Sequence, residues 1–283
     1  MAIFNHISLD TAKELLINPT PKEIIESYNE HYSISELEIS SYTNNGFIHL
    51  SSVIKEDTLL YLRNVIQAAV LVRKGSDERL LKDKSQYEQS FLQCGYICWD
   101  YNPVKDFVFG KRFAGIARDL MKVNSTRLWH DQALFKEAGG RKTDVHQDSS
   151  YWPVANPELT TTMWLALNDV NEENGCLYFY PGSHHKQREY VDIFKNPHKP
   201  ELLNGIDPVN VPLKAGDATF HSGLTYHGAN ENKSKVMREG MTVIFIADGS
   251  KFNSNDKRNA THKSCEALQH GEEIDTKYTP KLI

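Results

Sequence analysis

The sequence predicts a mainly β fold, a sandwich or barrel with helices packed against it from the N-terminal side. Three observations carry this prediction. From about residue 126, short segments rich in β-formers alternate with Gly, Pro, Asn and Asp, among them RLWHDQALFKE, TTTMWLALNDV, GCLYFYPGS and GMTVIFIADGS. Before that point, apolar residues recur at helical spacing. Finally, 283 residues with 40% hydrophobic and 24% charged side chains suit a globular chain that buries a large core. The layout expected is a helical part over about 1–125, a β core over about 126–250 and an irregular polar tail over 251–283, together one domain.

In chain order, LDTAKELLINPTPKEIIESYNE (9–30) reads as two short helices around a Pro-rich break, with helix continuing over 36–43. NNGFIHLSSVI (44–54) reads as turn, strand, turn. KEDTLLYLRNVIQAAVLVRKG (55–75) carries helical apolar spacing and ends in basic residues and Gly75. A further helical block is expected over 104–122, with Phe107, Phe109, Phe113, Ile116, Ala117, Leu120 and Met121 on its apolar face. The β segments follow. PGSH (181–184) and NEENG (171–175) are corner chemistry, and His184 and His185 read as structural or exposed.

Composition excludes several function classes. A formal charge of −5 gives no electrostatic footprint for nucleic acid or for an anionic membrane. No apolar run is long enough to cross a bilayer. The N-terminus lacks the basic start and apolar stretch of a secretory signal, so cytoplasmic residence is expected. Cys94, Cys98, Cys176 and Cys265 include no second close pair, and all four read as buried or half-buried thiols.

The chemistry concentrates in VHQDSSYWP (145–153). On a strand, residues two apart share a face, so His146 and Asp148 project together. An imidazole nitrogen and a carboxylate oxygen are two of the three donors of the two-histidine, one-carboxylate triad that holds non-haem Fe(II). FHSGLTYHGAN (220–230) offers His221 and His227 as the third, and their six-residue separation leaves both open. A lone His-x-Asp is a weak signal, and a hydrogen-bonded His–Asp pair satisfies it as well.

The flanking text is more specific. HQD (146–148), ENGCL (173–177), PGSH (181–184), AGD (215–217) and HGAN-ENKS (227–234) stand in one order, within segments running from SYTNNGFIHLSSVIKEDTLLYLR (41–63) to AGDATFHSGLTYHGANENKSKVMREGMTVIFIADG (215–249). In this the chain resembles the phytanoyl-CoA dioxygenase family of Fe(II)- and 2-oxoglutarate-dependent oxygenases. The resemblance implies a double-stranded β-helix, a jelly-roll or cupin-like barrel, with N-terminal helices against it. It implies His146, Asp148 and His227 as iron ligands, His227 because it sits in a His-Gly dipeptide followed by Asn232-Lys233-Ser234 and Arg238. It leaves His221 as a barrel-wall histidine hydrogen-bonding near the site or touching substrate.

Arg238 is then expected to bind the far carboxylate of 2-oxoglutarate, a task suited to an always-charged bidentate donor. A hairpin after His227 would bring it alongside on the next strand. The resemblance places Trp164, Gln132 and Lys136 in the cosubstrate pocket; the alternatives are a core aromatic for Trp164 and a rim lysine for Lys136. Tyr151 and Trp152, with Trp129, are candidates for the substrate wall, the alternative for the first two being packing against the N-terminal helices. Some relatives carry Ser two residues after the distal histidine; here Ala229 stands there and one cosubstrate hydrogen bond is lost or replaced.

The implied activity is hydroxylation of an unactivated C–H bond of a small-molecule metabolite, with Fe(II), 2-oxoglutarate and O2 in and succinate and CO2 out. Related halogenases carry Gly or Ala in place of the carboxylate, which Asp148 rules against. Desaturation, epoxidation or rearrangement would use the same ligands. The alternatives in kind are a metal-binding barrel without catalysis and a zinc enzyme, in which Arg238 would lack a reason.

Overall fold

The computed structural model describes residues 4, 7–191, 196–255 and 263–283. Its first three helices are α1 (Leu9–Ile17), α2 (Lys22–Asn29) and α3 (Glu36–Asn45). Ser35 and Glu38 close a capping box at the start of α3. Gly46 ends it at φ 80°, where a β-carbon would strike His184 Nδ1 and Thr225 Oγ1. The Gly46 carbonyl accepts from Ser222 N at 2.8 Å and Thr225 Oγ1 at 2.7 Å, which ties the end of α3 to the loop leading to His227.

Strand β1 (Phe47–Leu50) follows, then α4 (Glu56–Lys74), α5 (Gln86–Ser90), β2 (Leu92–Gly95), α6 (Asn102–Val108) and α7 (Lys111–Met121). The helix expected over 104–122 is therefore two. The break falls at Phe109-Gly110, and Lys111 N, opening the new helix, finds Asn29 Oδ1 at 3.2 Å. No helix among the described residues is long and apolar enough to cross a membrane.

The β core comprises β3 (Thr126–Lys136), β4 (Thr143–His146), β5 (Thr160–Ala166), β6 (Leu177–Phe179), β7 (Val209–Val211), β8 (Ala218–Ser222), β9 (His227–Ala229) and β10 (Arg238–Ala247). A six-stranded sheet runs β1-β8-β5-β10-β3-β2 and a four-stranded sheet runs β4-β9-β6-β7. The two sheets form an open jelly-roll sandwich rather than a closed barrel, and the cavity between them is lined from both. Strands β1 and β2 come from the segment read as mostly helical; β2 was not foreseen.

Every residue of β5 and β10 is buried, because helices cover one face of the six-stranded sheet and the second sheet covers the other. Met241, Val243 and Phe245 pack with Leu62, Val65, Phe107 and Phe113 on the helical side. Ile244 and Ile246 face the other way. Helix α4 is further pinned by Arg63, whose Nε and Nη2 reach buried Glu239 at 2.8 and 2.9 Å, with Gln67 Nε2 on the same carboxylate.

Over its described residues, 251–255 and 263–283, the C-terminal segment carries turns, isolated bridges and a short 3-10 turn; residues 256–262 lie outside the described residues. Phe252, Cys265 and Ile274 join Trp129, Trp152, Val154, Ile244 and Ile246 in one buried cluster. All four cysteines are buried thiols outside any disulfide.

Candidate active site

Strands β4 and β9 pair antiparallel with His146 directly opposite His227. This cross-strand pairing holds the two imidazoles 4.4 Å apart, centroid to centroid. Strand β4 ends at His146, so Asp148 stands at the start of a short 3-10 turn (Asp148–Tyr151) and not on the strand. Gln147 between them stays extended, at φ −115° and ψ 128°, so the i, i+2 relation survives. Asp148 Oδ1 lies 3.5 Å from His146 Nε2 and 3.6 Å from His227 Nε2. The three donor atoms all fall within 4.8 Å of one another.

The other ring nitrogens define the tautomers. His146 Nδ1 donates to Asp144 O at 2.9 Å and His227 Nδ1 to Thr225 O at 3.0 Å. A carbonyl partner requires the proton on Nδ1, which leaves both Nε2 lone pairs turned toward Asp148. Burial pushes the His227 imidazole down to about 3, against the attraction of Asp148. Burial alone would raise the Asp148 carboxyl; the imidazoles of His227, His146 and His221 outweigh it and hold it well below the usual carboxylate range. Two Nε2 lone pairs and a carboxylate oxygen within 4.8 Å of one another are donors that suit a divalent metal, so this donor set fits Fe(II).

The cavity that receives these atoms measures about 320 Å³. Arg238 lines it from the first position of β10 and is 2% exposed. Its Nη1 donates to Gly175 O at 2.9 Å and its Nη2 to Leu134 O at 3.2 Å, while its buried Nε has no partner. Its guanidinium stacks 5.0 Å from the Trp164 ring, whose buried Nε1 is also without a partner. Burial lowers Arg238 to about 10, so it is charged at neutral pH. A buried cation with an unspent donor beside a second unspent donor suits an anion.

Arg238 does not arrive by a hairpin from β9. That strand belongs to the four-stranded sheet, whereas β10 lies between β5 and β3 in the other, and Arg238 crosses the gap between them. Lys136, its cross-strand neighbour in β3, neither faces the cavity nor sits at a rim. It is fully buried, with Nζ donating to Ser90 O at 2.8 Å and to Arg141 O. Burial, with Arg238 second, lowers its pKa well below the usual lysine value.

Gln132, Tyr151, Trp152, Trp164, His221 and Ala229 all line the cavity. Tyr151 Oη donates to Val191 O at 2.6 Å. Trp152 packs against the C-terminal segment, not the N-terminal helices. Trp129 does not line the cavity. Its strand bulges there, Ile244 pairing with His130 and Phe245 with Leu128, and the extra residue Trp129 turns into the apolar cluster under the C-terminal segment. His130 lines the cavity instead, on the face shared with Gln132. That parity was available in the sequence. So was that of Thr162, two residues before Trp164, which also lines the cavity. The segment Tyr87–Tyr96, which supplies Phe91, Gln93 and Tyr96 to the wall, carried no comparable signal.

Gly240 makes room for Trp164: a β-carbon there would fall inside contact distance of the indole ring. Gly240→Ala is expected to lower stability by about 1–3 kcal/mol through overpacking. Denaturant unfolding checks the cost, and an unchanged midpoint would contradict the packing described.

The sequence profile of the phytanoyl-CoA dioxygenase (PhyH) family matches residues 42–240. Among relatives, phytanoyl-CoA dioxygenase 1 of Oryza sativa is 30% identical over 172 residues, 58% of this chain and 60% of the relative. Phytanoyl-CoA dioxygenase of Arabidopsis thaliana is 28% identical over 188 residues, 63% of this chain and 64% of the relative. The matched region thus spans less than two thirds of the length of either. Among solved structures, the non-haem α-ketoglutarate-dependent carbocyclase SnoK from nogalamycin biosynthesis superposes with a TM-score of 0.73 at 23% identity, over 88% of this chain and 96% of that one. EctD from S. alaskensis, with 2-oxoglutarate and 5-hydroxyectoine, gives 0.65 at 18% identity, over 80% and 82%. At these identities the structural likeness shows the fold. The extent of the profile match shows more: the chain belongs to the phytanoyl-CoA dioxygenase family.

Proposed function

We propose that the chain is an Fe(II)- and 2-oxoglutarate-dependent oxygenase that hydroxylates a C–H bond of a small-molecule metabolite, with all its parts acting as one catalytic domain. The observation that carries this reading is the convergence of His146 Nε2, His227 Nε2 and Asp148 Oδ1 in a cavity shared with the buried guanidinium of Arg238. A zinc site without a cosubstrate would give Arg238 nothing to bind.

The residues divide the work. His146, Asp148 and His227 would hold the iron, each imidazole oriented through the carbonyl that its Nδ1 grips. Bound there, iron supplies the redox chemistry that couples decarboxylation of 2-oxoglutarate by O2 to C–H oxidation. Arg238 binds the far carboxylate of 2-oxoglutarate, with its Nε and Trp164 Nε1 as the donors still unspent. Ala229 leaves that wall without the hydroxyl some relatives have. Tyr151 and Trp152 wall the remainder and exclude water from the reacting centre.

The test is spectroscopic. Anaerobic addition of Fe(II) and 2-oxoglutarate should give the weak visible charge-transfer band of a chelated keto acid, and admitting O2 should release succinate. Iron bound with no band on adding 2-oxoglutarate would remove the oxygenase reading and leave a metal-binding barrel.

A further inference from the structure

Asp148 presents its two oxygens to opposite sides of the sandwich. Oδ1 faces the imidazoles of the four-stranded sheet. Oδ2 turns the other way and meets two groups of the six-stranded sheet: Thr162 Oγ1 at 2.8 Å and His221 Nε2 at 3.1 Å. These two residues are register partners, Thr162 on β5 directly opposite His221 on β8, so one cross-strand pair brings both to the same oxygen. Thr162 and His221 are buried, at 4% and 1% exposure. The Phe179 ring packs against both His221 and His227, at 5.2 and 5.8 Å between centroids, and fixes their planes.

His221 Nδ1 is buried and has no partner. Its polar link to the site is therefore Nε2, and an ionised carboxylate opposite requires that Nε2 carry the proton. Thr162 likewise gives its hydroxyl proton to Oδ2. Both donors occupy the oxygen turned away from His146 and His227, and neither touches the one turned toward them.

From this geometry we propose, resting on the oxygenase reading above, that Thr162 and His221 are positioning residues that keep Asp148 a one-oxygen ligand. A carboxylate free to swing could give a metal both oxygens. That would occupy one more coordination position, in competition with the keto acid. Two fixed donors on Oδ2 remove this option and set the direction of Oδ1.

The experiment is a titration of the apo-protein with Fe(II) under anaerobic conditions, followed by titration of 2-oxoglutarate into the charge-transfer band. Thr162→Val is nearly isosteric but has no donor; Thr162→Ser keeps the donor and loses a methyl group. Thr162→Val combined with His221→Leu is expected to weaken Fe(II) binding by ~10–100-fold, the usual loss for an outer partner of a ligand. The 2-oxoglutarate dissociation constant should rise with it although Arg238 is intact, and Thr162→Ser should stay near the parent in both. A role in packing alone predicts the reverse order, Val near the parent and Ser weakened, and would overturn the proposal. So would parent-like binding of Fe(II) and 2-oxoglutarate by the double variant. A parent protein that binds no Fe(II) would instead overturn the oxygenase reading, and this inference with it.

Discussion

Replacement of His227 by alanine is expected to abolish 2-oxoglutarate turnover and to weaken Fe(II) binding by more than the ~10–100-fold that an outer partner contributes, since a donor itself is lost. His146 and Asp148 would remain, but the cross-strand partner of His146 would be gone. The imidazole also fills space between Phe179 and His146, so the variant should lose some stability as well. Circular dichroism therefore accompanies the metal titration, to separate a folded protein without metal from an unfolded one. A folded His227→Ala protein that releases succinate at the parent rate would exclude His227 as a ligand and return His221 to consideration.

Arg238→Ala is expected to leave Fe(II) binding nearly intact and to raise the 2-oxoglutarate dissociation constant. Truncating one partner of a buried charge pair costs about 2–5 kcal/mol, which at ~1.4 kcal/mol per tenfold is roughly thirty-fold to several thousand-fold. Arg238→Lys should recover only part, because a single ammonium cannot reproduce a planar fork held by Gly175 O and Leu134 O. The pattern to look for in the charge-transfer titration is a band that keeps its shape and needs more 2-oxoglutarate. Equal affinity in Arg238→Ala would mean that the far carboxylate binds elsewhere in the cavity.

Much of this architecture is legible from local pattern. The β core segments show themselves by alternation and turn residues, and α1 to α4 by periodicity and caps. What local pattern does not carry is which sheet a strand joins. His221 and His227 are six residues apart on β8 and β9, and the turn between them sends these strands into different sheets. Parity along the chain therefore does not separate them, and the same change of sheet, between β9 and β10, removes the hairpin expected to bring in Arg238. His130, on the strand face of Gln132, takes the place in the wall expected of Trp129, which the β3 bulge turns into the cluster under the C-terminal segment. Lys136 stands on a strand rich in apolar residues, and its Nζ finds backbone and hydroxyl acceptors that converge only in the folded chain. Strand β2 exists through its pairing with β3, a contact some forty residues away in sequence.

The position of Arg238 has a mechanical consequence. His146 and His227 belong to one sheet and Arg238 to the other. A molecule gripped at one end beside the imidazoles and at the other by the guanidinium would work as a cross-brace between the two layers. Loading such a brace opposes any widening of the gap, so the strength of cosubstrate binding and the stiffness of the sandwich become one thermodynamic quantity.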